Sequence, residues 1–104
     1  AFAISVCFQD QLESPTVVAA QAANELLNIV GIKASFVLTD YQGKIFVSSR
    51  SIDEINVQLI MERLGGGGHL NVAGAQLTNC DVEEAKRMIE RTLDEMIEEG
   101  EIEI

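Results

Sequence analysis

Polarity alternates over residues 1–8, with Phe2, Ile4, Val6 and Phe8 on one side and Ala3, Ser5 and Cys7 on the other. That is the period-two pattern of a strand with one well-buried face. Residues 9–13 are a polar connection. Ser14-Pro15 is a helix-start signal, Ser as N-cap and Pro at the first position, where its absent N–H costs nothing. The spacing predicts a helix to about Val30, closed by Gly31 at the C′ position. Its Ala-rich middle (Ala19, Ala20, Ala22, Ala23) predicts a close approach to a sheet. Residues 34–40 and 44–50 read as two strands joined through Tyr41-Gln42-Gly43, a hairpin in which Gly43 supplies the positive φ.

Ser51-x-x-Glu54 reads as a capping box, with Asp53 as a rival cap. The helix behind it buries Val57, Ile60, Met61 and Leu64 at i, i+3, i+4, i+7 and ends at Gly65. Residues 69–75 read as a turn or two of helix and 76–78 as a short strand. Asp81-x-x-Glu84 is a second capping box. The last helix turns Val82, Ala85, Met88, Ile89, Leu93, Met96 and Ile97 inward and finishes near Gly100. Strands and helices mix without an internal repeat. The predicted fold is α/β, a single small domain with a mixed β-sheet covered by helices in two or three layers.

Composition sharpens this picture. The chain has 104 residues, 47% of them hydrophobic, with no Trp, one Tyr and four Phe, so its core is aliphatic. No apolar run approaches the ~18 residues of a membrane span, and the first residues lack the basic start of a signal peptide. The absence of an initiator Met suggests a piece of a longer protein, which could itself be membrane-anchored. Cys7 and Cys80 form no CxxC pair, and the expectation is two reduced thiols in an intracellular protein.

The net charge of −10 is uneven: residues 81–104 carry ten acids against Lys86, Arg87 and Arg91, and residues 1–80 carry seven against four bases. A long nucleic acid is held through many phosphate contacts, and the basic stripe this needs is lacking. A small anionic ligand in one local pocket remains compatible.

Candidate chemistry centres on the four glycines at 65–68. Each ordered glycine costs backbone entropy that a core does not require. The functional reading is a loop whose backbone approaches a ligand and turns its N–H groups inward, with a helix start after it to favour an anion. His69 follows at once and can donate to the same anion. Arg50 ends a strand, where α/β sheets line ligand crevices, and Arg suits a bidentate grip on phosphate. Taken singly, the glycines equally fit a flexible connection, His69 a hydrogen-bonded structural histidine and Arg50 a solvated strand end. Ser48, Ser49 and Ser51 either line the same pocket or cap the strand, and Asn71 either faces a ligand or satisfies the loop. Asn24, Asn28 and Asn56 read as exposed helix positions. A single His precludes a usual metal-dependent hydrolase site within the chain, and no nucleophilic triad is evident.

Arg50-Ser51 after a strand, a helix, then Gly66-Gly67-Gly68-His69-x-x-x-Ala73-Gly74 resembles the DHH-associated C-terminal domain of the DHH phosphoesterase superfamily, over nearly the whole chain. One departure is Val72, where the family often has Ala before the Ala-Gly pair. Gly65 and the run Gly-His-Leu-Asn are most similar to bacterial membrane-anchored cyclic-di-AMP phosphodiesterases. The resemblance implies a preceding DHH domain with the catalytic residues and manganese, no cofactor in this chain, and a cytoplasmic location. It also implies that Arg50 and Gly66, Gly67, Gly68 and His69 bind the substrate, a small cyclic dinucleotide opened to a linear one; Ser51, Gly65 and Asn71 complete the candidate substrate-binding set.

Other readings stay open. One is a DHH-family oligoribonuclease or an enzyme acting on a nucleotide 3′-phosphate. A single-strand exonuclease, matching the family's nucleic-acid binding, is disfavoured by the acidic charge. A module that binds a nucleotide or forms a homodimer without chemistry is the fourth. The presence of an upstream DHH domain discriminates the last from the rest. No residue reads adenine over guanine from sequence alone.

Overall fold

The computed structural model describes residues 2–7, 15–29, 31–41, 43–52 and 55–102. Five strands form one sheet. They are β1 (Phe2–Cys7), β2 (Ala34–Tyr41), β3 (Lys44–Ser51), β4 (Gly67–His69) and β5 (Val72–Leu77), in the order β1-β2-β3-β5-β4. β1 and β2 are parallel, joined through α1 (Pro15–Leu26); the other neighbours are antiparallel, so the sheet is mixed as expected. α2 (Val57–Arg63) lies between β3 and β4, and α3 (Val82–Glu98) closes the order.

Alternation along the strands sorts side chains onto two faces. On one face, Phe36 and Leu38 of β2, Ile45 and Val47 of β3 and Ala73, Ala75 and Leu77 of β5 are buried. They pack with Val57, Ile60 and Met61 of α2 and Ala85, Ile89, Leu93 and Met96 of α3. On the other face Val37 packs with Ala19 and Ala23 of α1, which are fully buried. The alanines permit the expected close approach, and the Ser35 hydroxyl donates to the Ala23 carbonyl at 2.7 Å. The result is three layers, helix on sheet on two helices.

The 34–50 hairpin forms as predicted, with Gly43 at φ +78°. Asp81 caps α3, its carboxylate accepting from the Glu84 amide at 2.8 Å. Beyond α3, Gly100 takes φ +78° and Ile102 returns to the core. Arg63 at the end of α2 pairs with Glu99 and Glu101, fastening the two helix ends together.

The structure corrects several expectations. α1 ends at Leu26 rather than near residue 30. Ser51 is not a helix cap but the last residue of β3; α2 starts six residues later behind Asn56, whose side chain accepts from the Leu59 amide at 3.2 Å. Asn56 is thereby a cap and half-buried, not an exposed helical position. Asp53, Glu54, Ser14, Val30 and the 9–13 connection lie outside the described residues.

The largest difference concerns 69–75, where a two-strand hairpin replaces the expected helical turns. Val72, Gly74 and Gln76 alternate with buried Ala73, Ala75 and Leu77, a period of two that fits the open edge of β3. Glycine and β-branched Val also disfavour a helix here.

The glycines follow from this arrangement. Gly65 takes φ +87°, and its amide and that of Gly66 donate to the Glu62 and Met61 carbonyls, ending α2. A Cβ at Gly66 would lie 2.1 Å from the Gly74 oxygen and 2.7 Å from Ala75 Cα; one at Gly68, at φ +147°, would lie 2.5 Å from Ala73 Cα. A Cβ at Gly67 would meet nothing within 4 Å. Gly66→Ala should therefore cost about 3 kcal/mol or unfold the chain. Gly67→Ala should stay within about 0.5 kcal/mol of the parent. Urea denaturation of both variants checks this contrast, and equal stabilities would contradict it.

Candidate functional site

β5 lies between β3 and β4, and its register carries residues of all three strands onto shared rows. Arg50 pairs with Val72, and Val72 with His69. Directly opposed residues in antiparallel strands point to the same face. Arg50, Val72 and His69 therefore form one row across the sheet, with the outer two backbones about 10 Å apart. Two residues along, Ser48, Gly74 and Gly67 form the next row. Phe46 and Gln76 form the third.

These rows lie on the α1 side of the sheet, but α1 packs on β1, β2 and β3. The β5 and β4 end of that face is open: Val72 is 47% exposed, and His69 and Gln76 are exposed too. A cavity of about 580 Å³ opens here between Phe46 and Ser48 of β3, Gly74 and Gln76 of β5, and Gly65 and Gly66. Gly74 contributes no side chain, and a Cβ there would sit 2.9 Å from the Val47 oxygen, so a glycine keeps the floor of the cavity low.

Arg50 is half-buried, and its guanidinium donates to the Ser49 carbonyl at 2.8 Å. Burial pushes its pKa down, yet Arg keeps its charge across the whole working pH range. A partly desolvated, oriented cation binds an anion more strongly than a free surface one.

The expected site residues separate into three groups. Arg50, Gly67 and His69 share the open face. Gly65 and Gly66 border the cavity, but their amides are spent on the end of α2, and Gly68 serves the close approach to Ala73. No helix starts after the glycines, so the expected helix-terminal anion site does not form; β4 follows instead.

Ser51 and Asn71 belong to the other side of β3. The Ser51 hydroxyl is buried; it donates to the Ile55 carbonyl at 2.6 Å and accepts from Asn71 Nδ2 at 2.8 Å. The Ser51 amide donates to the Asn71 carbonyl and the Val57 amide to the Leu70 carbonyl. Ser49 adds a buried hydroxyl bond to the Ala73 carbonyl at 2.9 Å. These serines lock β3 to β5 and to the turn at 70–71, which fixes His69 relative to Arg50.

Sequence reading missed Gln76 and Phe46 as cavity residues. The signal was the alternation at 72–77, masked by the glycines before it. Cys80 is free and half-buried; burial first, then Glu84 and Asp81, pushes its thiol up, which makes it a poor nucleophile. The side chain of Cys7 lies outside the described residues.

A five-strand mixed sheet that carries a glycine-histidine hairpin beside an arginine defines a recognisable class. The DHHA1 domain family model matches residues 2–99, and the chain belongs to that family. It is homologous to cyclic-di-AMP phosphodiesterases. Identity is 45% over 93 residues with the cyclic-di-AMP phosphodiesterase PdeA of Listeria monocytogenes serotype 1/2a (strain 10403S), covering 88% of this chain and 14% of that protein. It is also 45% over 85 residues with the cyclic-di-AMP phosphodiesterase GdpP of Geobacillus thermodenitrificans (strain NG80-2), covering 81% and 13%. The chain thus spans a small part of these relatives' length. Among solved structures, an exopolyphosphatase-related protein from Bacteroides fragilis matches with a TM-score of 0.76 at 24% identity, over 88% of this chain and 29% of that one, a likeness of fold.

Removing the Ser51 hydroxyl should loosen the strand-to-turn lock. Ser51→Ala is expected to cost about 1–3 kcal/mol, because it strips partners from the buried Ile55 carbonyl and the Asn71 amide. Thermal and urea unfolding measure this. An unchanged midpoint would remove Ser51 from its structural role and return it to the list of ligand contacts.

Proposed function

We propose that this chain is the substrate-holding domain of a metal-dependent phosphodiesterase that opens cyclic-di-AMP to the linear dinucleotide. The observation that carries the reading is the row Arg50–Val72–His69 beside a glycine-floored cavity, on the β5 and β4 end of the sheet face that packs against α1 elsewhere. The homologous relatives' activity on cyclic-di-AMP supports the substrate class. The size of the cavity suits a mononucleotide-sized part of a ligand. The acidic surface disfavours a long nucleic acid.

Among the described residues there is no group of three or more His, Cys, Asp or Glu side chains that could hold a metal ion. By the resemblance, the manganese is assigned to a preceding DHH domain, and the roles assigned to this chain are binding and positioning. Arg50 pairs with a phosphate oxygen through its guanidinium. His69, across the row, donates a ring N–H to the same phosphate. Val72 between them offers a short apolar floor. Held at one end, the dinucleotide presents its other phosphate to the facing domain, and closure between the two domains excludes water from the cleft. No helix among the described residues is long and apolar enough to cross a membrane. By the same resemblance we assign the domain to the cytoplasmic side of an anchored bacterial protein.

In the parent phosphodiesterase, Arg50→Ala and His69→Ala should each raise KM for cyclic-di-AMP about tenfold or more, with a smaller change in kcat. A lost ground-state contact gives that split, because it holds substrate and transition state alike. Steady-state kinetics on the two variants supply the check. Unchanged KM and kcat in both would exclude these residues from the site.

A further inference from the structure

We infer that the cavity beside the arginine–histidine row is an adenine-reading subsite in which Gln76 recognises the base edge. The inference rests on the proposed phosphate grip and extends it to a part of the ligand that grip leaves unassigned. Along a strand, two residues advance about 7 Å. The Ser48–Gly74 row is therefore one such step from Arg50 and His69, and the Phe46–Gln76 row is two. A nucleotide whose phosphate lies between Arg50 and His69 passes its ribose over the Ser48–Gly74 row. Gly74 carries no side chain there, and the cavity opens directly above it. The base then arrives between the Phe46 ring and the amide of Gln76, both of which line the cavity.

The chemistry of Gln76 selects among bases. A primary amide carries an acceptor oxygen and a donor NH₂ side by side. The N6/N7 edge of adenine presents a donor beside an acceptor, which this amide satisfies in a bidentate pair. The O6/N7 edge of guanine presents two acceptors, so one of its pairings would set oxygen against oxygen. Gln76 is exposed and lies at the side of the cavity, where its amide can meet that edge. A base seated here also gains stacking on Phe46. Among the described residues no basic side chain lines the cavity, so selection falls to the amide.

The test uses this chain, titrated with 5′-AMP and with 5′-GMP at millimolar concentration and followed by NMR of backbone and side-chain amides. The expected result is shifts at Arg50 and His69 with both nucleotides, and shifts at Ser48, Gly74 and the Gln76 side-chain amide that are larger with AMP. AMP should bind about tenfold more tightly than GMP. Gln76→Ala should abolish that preference while the shifts at Arg50 and His69 persist; the residue is exposed, so the fold is retained. Equal affinities in the parent chain, or a preference that survives Gln76→Ala, would overturn the subsite and leave the phosphate grip standing. Shifts confined to Arg50 and His69 would do the same. No shift anywhere on this face would overturn the subsite and the proposed phosphate grip together.

Discussion

The backbone of residues 66–68 lies directly against β5, and the site depends on that contact. A Cβ at Gly66 would fall 2.1 Å from the Gly74 oxygen, and one at Gly68 would fall 2.5 Å from Ala73 Cα. Only glycine allows this approach. The contact lets α2 stop, reverse and feed a strand onto the sheet edge within three residues. The glycines therefore first build the hairpin that carries His69, and Gly67, free of close neighbours, is the one whose openness faces the site. The entropy cost of ordering them is offset by the ladder to β5 and the two amide bonds that close α2.

A second set of interactions holds the site from behind. Ser49 and Ser51 alternate with Ser48 and Arg50 along β3, so their hydroxyls point to the buried face while Arg50 points out. Their bonds to the Ala73 and Ile55 carbonyls, and the Asn71 bond to Ser51, leave β5 and its turn little freedom to slide. A slip of one residue would send His69 to the other face. The arginine–serine pair thus divides its labour by strand alternation: the arginine faces the open side of the sheet and the serine keeps it opposite the histidine.

Much of this was legible in the chain. The 34–50 hairpin, the alanine-lined α1 and the acidic α3 with its Asp81 cap all follow from periodicity and capping, and the motif marks Arg50, His69 and the glycines as candidates. The hairpin at 67–77 was not, because four glycines conceal the alternation that Ala73, Ala75 and Leu77 carry. Nor was the cap at Asn56, since Ser51-x-x-Glu54 offers the same capping spacing earlier. Which side of the sheet each residue faces was hidden for a different reason. Ser51 sits next to Arg50 in sequence, and only the register, read across three strands, shows that the two point apart. Phe46 lines the cavity through the same register, and Gln76 through the alternation at 72–77 that the glycines conceal.

The proposed function requires Arg50 and His69 to share one phosphate across β5. A crystal structure of this chain with the linear adenine dinucleotide tests it most directly. The expected density places a phosphate between the Arg50 guanidinium and the His69 ring, on the open face of the sheet. A dinucleotide bound on the α2 and α3 side, or one whose phosphates touch neither residue, would contradict it.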